Sequence, residues 1–345
     1  MQTRICRLHG RNDIRIEMEE VREPADGEVI VRMAAGGICG SDLHYYQDGG
    51  FGPIQVREPI ILGHEIAGAI ERVGAGVSSL APGDMVAINP SHPCGRCAYC
   101  SEGSFQHCLE MRFLGSAMRF PHEQGGFREF MTVAAAQCEK VGVDIAAGEA
   151  ACSEPLAVCV HAANRAGELA GLKVLVTGAG PIGALCVAVA RQRGAAEVVV
   201  TDLQDATLAV AKRMGATKVV NVAKRPEDME PYAREKGWFD KVFECSAAPA
   251  ALRTAIASIR PQGRLVQVGV TGDVSTPLNL LVSKEIELVG THRFHGEFAQ
   301  AVGLINSGAI DVKPIITGTY ALSDAADAFE VAGDRSRSVK VQLAF

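Results

Sequence analysis

Four cysteines fall within fifteen residues, as Cys94-x2-Cys97-x2-Cys100-x7-Cys108. Thiolates at this spacing can wrap one tetrahedral Zn²⁺ and leave no open position, which is the pattern of a structural site. Pro93, Gly95 and Gly103 let such a loop fold back on itself. His92 and His107 flank the cluster and read as bystanders, because four sulfurs already complete a shell. The chain has eleven cysteines, an odd number for a disulfide framework. Clustered thiols in a chain whose first residues show no export signal read as metal ligands rather than bridges. Cys6, Cys138, Cys152, Cys159, Cys186 and Cys245 read as small core residues.

A second chemical pattern is Gly178-Ala179-Gly180-Pro181-Ile182-Gly183, which fits GxGxxG. It follows an apolar run, Val174–Thr177, and opens an apolar helical stretch, which is the context a dinucleotide site requires. Gly178 permits the tight turn, Gly180 lets backbone approach a pyrophosphate, and Gly183 lets helix and strand pack closely. The helix that Pro181 and Ile182 open turns the free N–H groups and positive dipole of its N-terminus toward the phosphates. Asp202 lies about twenty residues on, where an acid binds both adenosine ribose hydroxyls. It would repel a 2′-phosphate, Asp205 adds to that repulsion, and no Arg follows within five positions. NAD is therefore expected in preference to NADP.

A third set is dispersed. Cys39 lies in GGICGSDLHYY (36–46), His64 and Glu65 in ILGHEIAG (61–68), and Glu154 in CSEPLAV (152–158). Their types suit a metal, but spacing alone does not group them.

The elements that must carry these residues fall into two kinds. Residues 1–145 read as short strands and turns: EVIVRM (28–33) alternates, and Pro53, Pro59, Pro82, Pro90, Pro93 and Pro121 punctuate the region. From about 150 to 290, strands alternate with helices. The expected strands are 173–177, 197–201, 218–222, 239–244, 264–270 and one starting at 287. The expected helices are 181–193, 206–214 and 250–260. Such alternation means a doubly wound parallel sheet, so the fold class is α/β. Val268 and Val270 follow the fifth strand and are expected at the nicotinamide pocket. A tail with helices 297–306 and 323–332 and a strand 339–345 is too short to fold alone. It is expected to pack on the first domain, leaving a cleft between the two.

Composition narrows the partners. With 48% apolar and 21% charged residues, disorder is excluded. A net charge of −6 argues against nucleic acid. The most apolar stretch, Val174–Ala190, is interrupted by Thr177 and three glycines, so no membrane span is expected. The opening MQTRICRLHGRND lacks a signal-peptide core, and a cytoplasmic location follows as the expectation.

Taken together, Cys39-Gly-Ser41-Asp-Leu-His44, Gly63-His64-Glu65, the four-cysteine lobe and GAGPIG resemble the zinc-dependent medium-chain dehydrogenase/reductase family, over essentially the whole chain. Glu154-Pro155-Leu156 and GTHRF (290–294) are similar to its polyol dehydrogenase branch. The resemblance implies a GroES-like β domain at 1–148, completed by 291–345, and a Rossmann domain at 149–290. It implies two zinc ions per chain. The catalytic one would be held by Cys39, His64 and a glutamate, either Glu65 or Glu154, with Cys152 as a weaker stand-in. The reaction implied is hydride transfer between NAD and a secondary alcohol of a sugar acid such as L-idonate, or of sorbitol, xylitol or threonine. Ser41 and His44 would relay the proton, and Tyr45 would offer a pocket hydroxyl. Arg293 matches a polyol-contacting Arg and would pair with a carboxylate, ahead of His295, Arg112 and Arg119. A catalytically silent relative would lack a zinc ligand or a relay residue, and none is lacking. The resemblance also implies a homodimer or homotetramer, paired near 287–290.

Overall fold

The computed structural model describes residues 1–270 and 272–345. Its first half is built on a seven-stranded sheet centred on strand Glu28–Gly37. Glu65–Val73, Met85–Ile88 and Cys138–Lys140 follow outward on one side. The C-terminal strand Lys340–Ala344 and strand Ile316–Ala321 lie on the other. Gln342 pairs with Gly37, so the end of the chain closes the first sheet. Gly37 also pairs with Glu65, and a Cβ at position 37 would overlap the Glu65 carboxylate. Glycine is required there so that Glu65 can turn inward.

The second sheet has six parallel strands. Their order is Lys218–Asn221, Glu197–Asp202, Lys173–Thr177, Phe239–Glu244, Ile259–Gln267 and Glu287–Gly290. Val174 and Val176 face one apolar cluster, shared with helices Ser153–Ala166 and Pro181–Gln192. Leu175 between them faces another, shared with helix Pro249–Ser258. A strand buried on both faces reads as a continuous apolar run, and Val174-Leu175-Val176 at the centre of this one does. Each such side chain contributes about 1.5–3 kcal/mol of burial.

Several elements differ from the sequence expectation. Gly40–Asp48 is a helix inside the region read as strands and turns. It forms because the Asp42 carboxylate accepts the Cys39 N–H at 3.0 Å and Gly49 ends it at φ +75°. Ser153–Ala166 and Ile316–Ala321 are further elements the pattern did not announce. The helix expected to reach Arg260 stops at Ser258, and Ile259 already begins the next strand. That strand stops at Gln267 rather than Val270, because Val268 and Gly269 both turn their N–H groups to the Glu244 carbonyl. The helix expected over 323–332 is Ala325–Gly333, after a short 3₁₀ turn.

Candidate active site

Cys39 caps the helix Gly40–Asp48, and His64 and Glu65 enter the strand Glu65–Val73. Their thiol, imidazole and carboxylate donor atoms lie within 4.8 Å of one another. His64 and Glu65 are buried. Glu65 Oε1 accepts from Lys340 Nζ at 2.6 Å, and Lys340 also donates to the Ile38 carbonyl at 3.0 Å. Glu65 Oε2 is buried with no hydrogen-bond partner. An orphaned buried oxygen beside a thiol and an imidazole calls for a cation, and one S, one N and one O donor suit Zn²⁺ with a position left open.

The electrostatics agree. Asp42 is wholly buried and its Oδ1 is 3.6 Å from His64 Nδ1, behind the ring. Burial works against protonation of His64, yet its pKa is raised well above the usual value by Asp42, Cys39 and Glu154. This corner of the fold therefore carries an excess of negative charge.

Glu154, in the first turn of Ser153–Ala166, is buried but stands outside the three-residue group. Burial is the main cause that pushes its carboxyl up to about 7. Glu65 adds to the rise, while His64, Lys340 and Arg293 oppose it. Of the two glutamates, Glu65 is the one gathered with Cys39 and His64. Cys152 is also outside the group; its thiol is fully buried and pushed up to about 12, chiefly by burial.

Phe113 joins this corner to a cation. Its ring centroid is 5.5 Å from that of His64, and the Arg293 guanidinium sits over the ring, 4.2 Å from its centroid. Arg293 has φ +51° and its Nη2 lies 3.9 Å from Met118 Sδ. Tyr45 is buried; its hydroxyl accepts the Ala117 N–H at 3.3 Å and lies 3.5 Å from Ser116 Oγ. His44 is half exposed, stacked on Phe51 at 4.9 Å, and its Nδ1 is 2.9 Å from Asp48 Oδ2. Among the described residues no hydrogen bond joins Ser41 to His44. Arg112 pairs with Glu123 at 3.2 Å, Arg119 donates to the carbonyls of Leu109 and Met111, and His295 stacks on Phe105. Asp42, Phe113, Ser116 and Lys340 are site members that sequence reasoning missed. Only Asp42, three residues after Cys39, left a local trace.

The four thiols of Cys94, Cys97, Cys100 and Cys108 form a second group. Cys97 Sγ is 3.6 Å from Cys100 Sγ and 4.0 Å from Cys108 Sγ. Sulfurs placed tetrahedrally at about 2.3 Å from one zinc lie roughly 3.8 Å apart. Backbone N–H groups of Leu109 and Cys100 draw the Cys97 thiol down to about 6, favouring thiolate. The residues present therefore fit the ion. His92 and His107 stand outside the group.

At the dinucleotide turn, Gly178 has φ +86°, and a Cβ on Gly183 would overlap the Gly178 carbonyl. Pro181 occupies the start of the helix Pro181–Gln192, with Gly180 as its cap and Ile182 partly buried against the core. Asp202 Oδ2 accepts the Ala179 N–H at 2.6 Å, and its Oδ1 accepts the Gln204 N–H at 2.9 Å. Val268 packs on the main core, whereas Val270 is largely exposed. Arg335 lies over the turn, its Nη1 3.5 Å from where a Gly180 Cβ would stand.

Comparison with known proteins agrees with this arrangement. Residues 25–143 match the family model of the alcohol dehydrogenase GroES-like domain, and residues 181–307 match that of the zinc-binding dehydrogenases. The chain is 40% identical to an L-idonate 5-dehydrogenase (NAD(P)(+)) of Escherichia coli, over 100% of this chain and 99% of that one. It is 36% identical to a sorbitol dehydrogenase of Bacillus subtilis, over 94% of this chain and 91% of that one. The crystal structure of the E. coli L-idonate 5-dehydrogenase superimposes with a TM-score of 0.96, covering 100% and 99% of the two chains. A short chain alcohol dehydrogenase from E. coli CFT073, crystallised with NADH, gives 0.90 at 29% identity, covering 100% and 99%.

Proposed function

The chain belongs to the zinc-dependent medium-chain dehydrogenase/reductase family, and from that premise we propose that it oxidises a secondary alcohol of a sugar acid, L-idonate to 5-keto-D-gluconate, with NAD⁺ as acceptor. Cys39, His64 and Glu65 would hold the catalytic zinc, with Glu154 beside it. Cys94, Cys97, Cys100 and Cys108 would hold the structural one. When bound, the catalytic ion supplies a Lewis acid that eases deprotonation of the reacting hydroxyl, and NAD⁺ supplies the hydride acceptor.

The chain's own residues account for the remaining steps. Ser41 and His44 are three apart on one helix, so they share a face. Ser41 Oγ takes the hydroxyl proton and passes it to His44, which is open to water on one side and steadied by Asp48. Burial raises the Glu154 carboxyl and so favours its protonated form, which can donate as well as accept a hydrogen bond near the metal-binding corner. Tyr45 and Ser116 offer hydroxyls to the other alcohol groups of the substrate. Arg293 takes the carboxylate, for which a planar guanidinium is suited by its paired donors.

Residues 1–148 with 291–345 are assigned here to substrate and metal, and 149–290 to the dinucleotide. Gly178, Gly180, Pro181, Ile182 and Gly183 would face the pyrophosphate, Asp202 the adenosine ribose, and Val268 and Val270 the nicotinamide side. The strand Glu287–Gly290 is an edge of its sheet, with Leu288, Leu278 and Val282 exposed on or near it. An apolar, unpaired edge favours association of two copies into a homodimer, or a tetramer built from dimers. None of the eleven cysteines is paired in a disulfide, and metal-binding thiolates suit a reducing compartment such as the cytoplasm. Among the described residues, no helix is long and apolar enough to cross a membrane.

The observation that carries the sugar-acid reading is the position of Phe113, in contact with both His64 and Arg293. It sets a cation beside the metal-binding corner, which a substrate carboxylate would engage more strongly than the hydroxyls of a neutral polyol. Initial rates of NAD⁺ reduction with L-idonate, D-gluconate, sorbitol, xylitol and L-threonine, with and without chelator, test it. L-idonate should give the highest kcat/KM, and chelation should abolish it. Preference for sorbitol or xylitol would transfer the assignment to a polyol dehydrogenase. Silence toward all five with both zincs bound would point to a non-catalytic relative.

A further inference from the structure

Two ring stacks reach the Arg293 segment from the four-cysteine lobe. His107 stacks on His292 with centroids 5.9 Å apart and planes 21° apart. Phe105 stacks on His295 at 4.1 Å and 29°. Both rings come from one turn, Phe105–His107, which immediately precedes Cys108. The lobe supplies a third contact at its base. Strands Ser91–His92 and Arg112–Phe113 pair just before Cys94 and just after Cys108, and so present Phe113 to the Arg293 guanidinium.

Arg293 itself is at φ +51°, a region that a long side chain seldom occupies. Such backbone persists where the surroundings over-determine it. On the far side Phe294 is fully buried and the Glu297 carboxylate accepts the His295 N–H at 3.0 Å. The near side is held by the lobe's rings.

We propose that Phe105, together with His107, is a positioning residue: its stack on His295 holds Arg293 in the orientation that takes the substrate carboxylate, so that the four-thiol lobe serves substrate recognition as well as local folding. This rests on the reading of Arg293 as the carboxylate contact. A bidentate guanidinium–carboxylate pair is demanding in angle, so loosening the segment weakens an acid more than a neutral polyol. A purely structural Phe105 would affect both alike.

The test uses Phe105→Ala, Phe105→Tyr, Arg293→Ala and the Phe105→Ala/Arg293→Ala double variant, in the zinc-loaded full chain with NAD⁺. KM and kcat are measured for L-idonate and sorbitol, alongside zinc content and the NADH dissociation constant. Phe105→Ala should raise the KM for L-idonate about tenfold, with kcat and the sorbitol KM within about twofold. Phe105→Tyr should restore the KM, and Phe105→Ala should add nothing once Arg293 is gone. Equal losses on both substrates, or an undiminished effect in the Arg293→Ala background, would overturn the proposal. Should Arg293→Ala itself leave the ratio of L-idonate to sorbitol efficiency unchanged, the carboxylate reading fails and the proposal falls with it. If Phe105→Ala loses lobe zinc, Phe105→Leu keeps apolar bulk in the lobe while removing the ring stack, and decides by the same readouts.

Discussion

Lys340 Nζ lies 2.6 Å from Glu65 Oε1, and both side chains are only 2% exposed. The pair anchors one oxygen of a metal-binding carboxylate to the last strand of the chain, leaving the other oxygen free. Burial works against the charge on Lys340, but Glu65 and Cys39 outweigh it and raise its pKa. Replacing Lys340 by Met would remove the buried cation that donates to Glu65 Oε1. Removing one partner of a buried pair costs about 3–5 kcal/mol. Equilibrium urea unfolding of Lys340→Met should show a loss of that order, with Lys340→Arg intermediate. A loss indistinguishable from that of an exposed lysine would show that the pair does not stabilise the fold.

Two donor groups of different chemistry should load independently. The intact chain is expected to bind two zinc ions. Cys39→Ala should retain one and lose turnover by more than about 10³-fold, because the Lewis acid is gone. Cys97→Ser should weaken the other, with earlier thermal unfolding, since a closed thiolate site contributes folding energy. Metal content by mass spectrometry, beside activity, separates the two. Retention of both ions by Cys39→Ala would remove that thiol from the catalytic site.

How much of this was legible in the sequence depended on distance along the chain. The thiol quartet and the GxGxxG turn are local, and local spacing carried their chemistry. The helix Glu297–Asn306 matches its apolar pattern residue for residue. By contrast, Gly40–Asp48 has little apolar periodicity and reads as a turn; its helix depends on the Asp42 carboxylate reaching back to the Cys39 N–H and on Gly49 at its end. The grouping of Cys39 with His64 and Glu65 is made by strand pairing, Gly37 against Glu65. Lys340 is 275 positions from Glu65, and nothing in its surroundings marks it as anything but a surface lysine. Phe113 and Ser116 are ordinary loop residues until the lobe folds.

Stability toward acid should depend on Glu297. Its carboxylate accepts from His161 Nδ1 and Asn164 Nδ2, each at 2.9 Å, and from the His295 N–H at 3.0 Å. The His161 hydrogen bond, followed by the backbone N–H of His295, holds its pKa down at about 2, against burial, where 4.5 is usual. A carboxyl depressed in the folded state takes up its proton more readily when unfolded. The stabilisation is therefore complete above about pH 4.5 and is lost as pH falls toward 2. Thermal melts should show Glu297→Gln less stable than the parent at pH 6, with the gap closing between pH 4.5 and 2. A gap independent of pH would mean that packing, not charge, is what Glu297 provides.

The Asp202 carboxylate does two jobs at once, and its removal should expose both. It accepts the Ala179 N–H at 2.6 Å and the Gln204 N–H at 2.9 Å, tying the glycine-rich turn to the end of the neighbouring strand. It also sets a negative charge where the adenosine ribose would lie. Lys224, a nearby cation, is paired with Asp205. Asp202→Ala should therefore weaken NADH, through the lost charge-assisted hydrogen bonds and a looser turn. NADPH should lose less, because the repulsion of its 2′-phosphate goes at the same time. With each hydrogen bond to a charged group contributing about 1.5–3 kcal/mol, the efficiency ratio of NADH to NADPH should fall by about 10- to 100-fold. Initial rates at subsaturating cofactor measure it directly. If the unsubstituted enzyme already uses both dinucleotides equally, Asp202 holds the turn and does not select the cofactor.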